Sequence, residues 1–343
     1  MGATSPDCLK PVGPSAGGLS AAKRPATRGT VNGWTEAGTS PVEPPTRSRS
    51  MAPLHAVMAT DITALFDRPA GEPSLLPPDA ISWQVFRNPL TMFMGGVAAV
   101  LLELGEPRVR AAIWEHSRFR IDPEGRLRST GVAAMVMVYA GRSTAFAMAT
   151  RVRDIHGRIS GTTPCGQSYT ATDPLLLRWV HATAAHGFLI AYRAYAREMS
   201  PADRDRYFVE GRTGAALFGV TDAVSSEAAF NTFLTEICPT LTPSPAILEV
   251  IERVRTAALL PRPLRHLQHF LVRGAVDLLP HPLRKQLGIT QEGGLSHGER
   301  MTLKGLALLA DRVVLPTSPA ARACRRLGLP SNYLLHGGWQ PSI

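Results

Sequence analysis

Apolar residues recur along this chain at helical spacing, and no segment alternates apolar with polar positions over a β-branched run. Leu90 to Leu102 is almost wholly apolar for thirteen positions, until Glu103 interrupts it. That is short of the roughly 20 residues a bilayer span needs and falls in the range of a buried helix. The pattern predicts a core helix over 90–104, where Gly95 and Gly96 point to close packing rather than helix propensity. Helices are also expected over 108–116, 131–140 and 143–159. In the last of these, Ala145, Met148, Val152, Ile155 and Ile159 share a face.

The best-marked helix opens at Asp173-Pro174. Aspartate accepts from free backbone N–H groups at the N-cap, and proline loses nothing at the first helical position. This helix is expected to run to about Glu198, where Ser200-Pro201 ends it. Further helices are expected over 202–211, 228–236, 245–260, 264–279, 297–309 and 319–327. No unit repeats, which argues against a solenoid. The expected fold class is all-α, one helical domain over 81–320 with a C-terminal extension, 321–343.

Composition changes the picture at the N-terminus. Pro, Gly and Ser fill 27 of the first 80 positions, and Trp34 and Phe66 are the only large aromatics there. Such a segment buries too little apolar surface to offset chain entropy, so residues 1–80 are expected to form a disordered tail. Met51 opens a more ordinary stretch and is an alternative start. The whole chain is 44% hydrophobic and 19% charged, enough for a sizeable core. Cys8, Cys165, Cys238 and Cys324 show no paired spacing, which excludes a disulfide scaffold and structural zinc. A cytoplasmic protein is the expectation, since no secretory leader pattern opens the chain.

The formal net charge is +10, and residues 262–326 hold eleven Lys/Arg against four Asp/Glu. Aromatics are scarce in that region and no recognition helix is evident, so nucleic acid is not expected as a partner. A solvated basic face, with peripheral membrane contact, fits better.

Known catalytic loops are missing from the helical region: there is no phosphate-cradling glycine loop and no HExxH helix. The GxSxG match at Gly13 to Gly17 lies in the tail, without the strand and helix a nucleophile elbow needs. Histidines on helices remain. Leu177, Arg178, His181, Ala184, Ala185 and Phe188 share one face. A neutral imidazole flanked by small residues suits an axial haem ligand, although an inward-facing histidine is more often a core residue bonded to a backbone carbonyl. Arg178 would pair with a propionate or tie its helix to a neighbour. Arg153 and His156, three apart, are helix neighbours. His186 points to another face, and His266 and His269 read as a basic helix surface. Trp114 to Phe119, followed by Asp122-Pro123-Glu124-Gly125, reads as a helix end and turn.

The stretch TDPLLLRWVHATAAHGFLIAYRAY, with RVRDIHGRISGT, FRNPLTMFMGG and WEHSRFR upstream, resembles the MpaB/latex-clearing (rubber) oxygenase family over about residues 81–320. The resemblance implies a globin-reminiscent all-α fold holding haem b. It implies His181 as the proximal iron ligand and Arg178 as a cofactor-binding residue. Arg153 and His156 fall on the distal side, where the rubber-cleaving branch has an arginine followed three residues later by a lysine. His156 replaces that lysine, either as a sixth ligand or as a hydrogen-bonding group. The branch's distal glutamate has no counterpart, because no acidic residue lies between Glu124 and Asp154. The expected function is a haem-b-dependent oxygenase acting with dioxygen on an apolar, unsaturated small molecule of prenyl or lipid type. The alternative is a non-catalytic bis-histidine haem sensor or carrier. A third reading is a helical interaction protein in which the motif survives only as packing.

Overall fold

A computed structural model describes residues 64–260, 262–292 and 294–339. Met51, the Gly13–Gly17 match and the rest of the tail before residue 64 lie outside the described residues. The described chain is all-α apart from one small hairpin. Its helices are α1 (Ala64–Asp67), α2 (Ile81–Val85), α3 (Pro89–Glu103), α4 (Pro107–His116), α5 (Pro123–Tyr139) and α6 (Arg142–His156). The antiparallel hairpin β1 (Ser160–Thr162) and β2 (Ser168–Thr170) follows, pairing Gly161 with Tyr169. Then come α7 (Pro174–Tyr195), α8 (Pro201–Leu217), α9 (Glu227–Ile237), α10 (Pro245–Thr256), α11 (Arg265–Asp277) and α12 (His281–Gln286). The last three are α13 (His297–Ala310), α14 (Pro319–Arg326) and α15 (Tyr333–His336).

One local device starts many of these helices. Asn88, Glu106, Asp122, Asp173, Ser200, Ser244 and Ser318 each accept from a backbone N–H of the first turn, and each precedes a proline. The cap satisfies an orphan donor and the proline presets helical φ.

At the centre, α3 crosses α7 in close backbone contact. A Cβ at Gly187 would lie 2.5 Å from the Gly95 carbonyl oxygen, and one at Gly95 would lie 2.7 Å from that of Gly187. Both helices are lined with core residues: Met94, Ala98 and Leu101 on α3, and Trp179, Leu189 and Tyr192 on α7, are fully buried.

Several boundaries differ from the sequence expectation: α8 runs on to Leu217 rather than 211, α6 ends at His156 rather than 159, and α10 ends at Thr256 rather than 260. Helix α5 begins at Pro123 rather than 131, because the Asp122 turn is its N-cap, with Asp122 Oδ1 accepting from Gly125 N–H at 2.9 Å. Residues 64–80, expected in the tail, are packed: Phe66 is buried, and the buried Arg326 donates to the carbonyls of Phe66, Glu72 and Tyr139. The expected C-terminal extension is part of the same body, since Cys324 and Leu334 join a core cluster with Phe66, Trp83 and Tyr139. These anchors lie far apart along the chain, so local composition could not reveal them. Among the described residues, no single helix is long and apolar enough to cross a membrane.

Candidate functional site

Helix α7 has two unlike faces. Trp179, Ala182, Thr183 and Leu189 are fully buried, whereas Leu177, His181, Ala184 and Ala185 remain half-buried. The second face meets α8 at glycines. A Cβ at Gly211 would lie 3.8 Å from Cε1 and Nε2 of His181, and one at Gly214 would meet only Met137 of α5, at 3.8 Å. Mid-helix glycine costs about 1 kcal/mol against alanine, so Gly211 keeps the α8 backbone slim beside the imidazole at a measurable expense.

The Nδ1 of His181 has no hydrogen-bond partner. Burial holds its pKa below the ordinary value, against an opposing hydrogen-bond contribution from the Gly211 backbone. The ring is therefore neutral near pH 7, the form that ligates metal. His156 closes α6, and its Nδ1 is likewise unpartnered. Its pKa is lowered by burial and then by the positive charge of Arg126.

Arg126 sits in the first turn of α5, and its charge reaches His156 at the end of α6. Its Nε donates to Ser117 Oγ at 3.2 Å, and it also donates to Thr130. Burial lowers the Arg126 pKa, while the charge of Glu103 raises it. Glu103, the last residue of α3, is pushed up to about 7 by burial, against the pull of Arg126 and a hydrogen bond with Thr183. Three helices thus bring Glu103, Arg126 and His156 into one desolvated array.

The residues singled out from the sequence fare differently. Arg153 is exposed, while His156 turns inward; the arginine whose field reaches His156 is Arg126. Arg178 ties helices together: its Nη1 lies 2.9 Å from Asp222 Oδ2, and its guanidinium sits 4.2 Å from the Phe233 ring centroid. His186 stacks on Phe230 with centroids 3.9 Å apart, and burial pushes its pKa down to about 3. It is a core histidine. His266 and His269 are exposed. Glu103 and Arg126 were missed from sequence, and one signal for the first was present: a lone acid after thirteen largely apolar positions.

A raised carboxyl pKa has a consequence for stability. The folded state keeps the Glu103 proton up to about pH 7, while an unfolded carboxyl releases it near 4.5. The folded state therefore binds more protons in that window, so this residue makes stability fall as pH rises from about 4.5 to about 7. In Glu103→Gln that part of the slope should vanish, as read from urea midpoints at several pH values. An unaltered slope would show that Glu103 does not titrate there.

No curated protein and no solved structure matches the chain. The catalytic-domain family described as ER-bound oxygenase mpaB/B'/Rubber oxygenase matches residues 83–312, which covers the α3–α7 crossing, the glycine face of α8 and all three members of the buried array. With that match spanning most of the chain, the protein belongs to the MpaB/rubber oxygenase family.

Proposed function

We propose that this protein, an oxygenase-type oxidoreductase by family, depends on haem b and uses dioxygen on an apolar, unsaturated small molecule of prenyl or lipid type. The observation that carries the reading is His181: a neutral imidazole with an unpartnered Nδ1, on a face of small residues opposite Gly211. A buried polar nitrogen left without a partner costs about 1–3 kcal/mol, which a bond to iron would offset. A porphyrin supplies four of the iron's ligands, so a single histidine suffices from the protein.

In this reading His181 would hold the iron, and Arg178 would fix α7 through Asp222 and Phe233. Bound haem would supply the one-electron and oxygen chemistry. The chain's own residues do the rest. Ala184 and Ala185, beside His181 on the same half-buried face of α7, present small apolar side chains that favour a hydrocarbon substrate over water. His156, kept neutral by burial and Arg126, presents a hydrogen-bonding nitrogen without adding charge. Glu103, poised between its two protonation states near pH 7, accepts or returns a proton beside Arg126. It thereby takes up the task for which the segment between Glu124 and Asp154 offers no acid. Arg153 lies outside this desolvated array and carries no step.

Carbon monoxide tests the reading against the bis-histidine carrier. Reduced protein is expected to bind the gas readily, and His156→Ala should keep its haem while the gas dissociates several-fold faster or slower. Resistance to carbon monoxide in the parent, with conversion of His156→Ala to a five-coordinate spectrum, would establish the carrier.

A further inference from the structure

Half of the exposed large hydrophobic side chains among the described residues fall in one short stretch. Met301, Leu306, Leu308, Leu309, Val313 and Leu315 are six of the twelve, and Leu309 is 61% exposed. Helix α13 explains the grouping. Leu303 and Ala307 are fully buried and face inward; a Cβ at Gly274 of α11 would meet Leu303, and the Ala307 carbonyl accepts from Asn88 Nδ2 at 2.8 Å. At 100° per residue, Met301, Leu308 and Leu309 occupy the opposite arc, and the chain beyond the helix extends it through Val313 and Leu315.

Charge on this surface has one sign. Glu299 is turned to Arg273, and Asp311 is buried, holding Arg87 at 2.7 Å and Arg197 at 3.2 Å. Arg312 is exposed beside Val313, and Lys304 flanks the apolar arc. From Arg300 to Leu315 the face therefore presents aliphatic side chains and cations, with no exposed acid. It is also well formed: Ser296 and Glu299 complete a reciprocal capping box at the start of α13.

We infer that the outer face of α13, continued through Leu315, docks on the surface of an anionic phospholipid bilayer. Aliphatic side chains enter the acyl boundary, while Lys304 and Arg312 meet headgroup phosphates. Such a surface takes up an amphipathic face by just these two contributions, buried apolar area and attraction of basic residues. Nucleic acid would match the cations and leave the leucines unpartnered. A protein hot spot is usually built on Trp, Tyr or Arg anchors, and this arc holds no aromatic residue. The inference is independent of the haem assignment.

Co-sedimentation of the full chain with vesicles tests it, comparing phosphatidylcholine alone with phosphatidylcholine–phosphatidylserine mixtures. Binding is expected to the mixed vesicles, to weaken with added salt, and to be slight on phosphatidylcholine. The pair Leu309→Glu and Val313→Glu should lower partitioning about 100-fold, some tenfold for each apolar contact replaced by a charge. Lys304→Ala with Arg312→Ala should lower it on mixed vesicles by about tenfold or more, and leave phosphatidylcholine binding unchanged. Leu248→Glu, at an exposed leucine of α10, should change nothing. Unchanged circular dichroism keeps a lost fold from imitating lost binding. Failure of the parent chain to sediment with either vesicle would overturn the inference, as would full binding by the double glutamate variant. A dimer that Leu309→Glu converts to monomer, without vesicle binding, would assign the face to a second copy of the chain.

Discussion

His181→Ala is expected to leave the protein folded and strip it of haem. The purified parent should show a Soret band and the pyridine haemochrome of haem b; the variant should lose most of both. The fold should survive because the imidazole contributes little to packing. It is half-buried, its Nδ1 bonds nothing, and across the helix pair it faces Gly211, which has no side chain. Trp179 and Ala182, which do anchor α7, lie on its other face and keep their contacts. Removing one neutral ring whose polar contact is to the Gly211 backbone should therefore cost about 1 kcal/mol of stability. Imidazole added to His181→Gly should restore part of the spectrum, which no structural role would allow. Full haem retention in His181→Ala would refute the ligand assignment. Arg178→Ala makes a useful contrast. Its partner Asp222 is largely exposed, so that ion pair is worth little, and the ring contact adds about 0.5–1 kcal/mol. Cofactor retention should weaken only modestly.

Much of the fold was legible because its signals are local. A capping side chain followed by proline marks a helix start within two residues, and Asp173-Pro174 located the start of α7; the apolar run located α3 to within a residue. Gly95 in an otherwise apolar run announced close packing, and α7 lies against it. The unread parts depend on distant partners. Phe66 looks stranded in a Pro- and Gly-rich segment until Arg326 and Cys324 arrive from the other end of the chain. Arg153 and His156 share a spacing but not an environment, because what surrounds each is decided by other helices. The buried array is the extreme case. Glu103, Arg126 and His156 come from α3, α5 and α6, and no window of sequence holds two of them at contact spacing. The absence of an acid between Glu124 and Asp154 was read correctly; a carboxyl reached the same interior from a helix that the spacing argument had not considered.

Gly187→Ala should destabilise the protein by about 1–2 kcal/mol, although alanine is the better helix former. Two effects compete. Replacing a mid-helix glycine gains about 1 kcal/mol in propensity. Against it, the new methyl would sit 2.5 Å from the Gly95 carbonyl oxygen and 3.0 Å from the Ala99 Cβ. Backbone cannot rotate away as a long side chain does, so α3 and α7 must separate, and overpacking of a close-packed core costs about 1–3 kcal/mol or more. Both helices are buried along most of their contact, which leaves the strain nowhere to relax cheaply. Gly305→Ala separates the two terms: nothing lies within 4 Å of a Cβ there. That variant should gain about 0.5–1 kcal/mol from propensity alone. Urea midpoints of the two variants should therefore move in opposite directions from the parent. The displacement at Gly187 should also reach the site, because His181 lies on the same helix and Glu103 is one turn beyond Ala99 on the other. Haem content should fall with the midpoint in Gly187→Ala and stay at the parent level in Gly305→Ala. A parent-like midpoint in Gly187→Ala would mean that α3 and α7 do not approach this closely, and the placement of Glu103 beside Thr183 would lose its support.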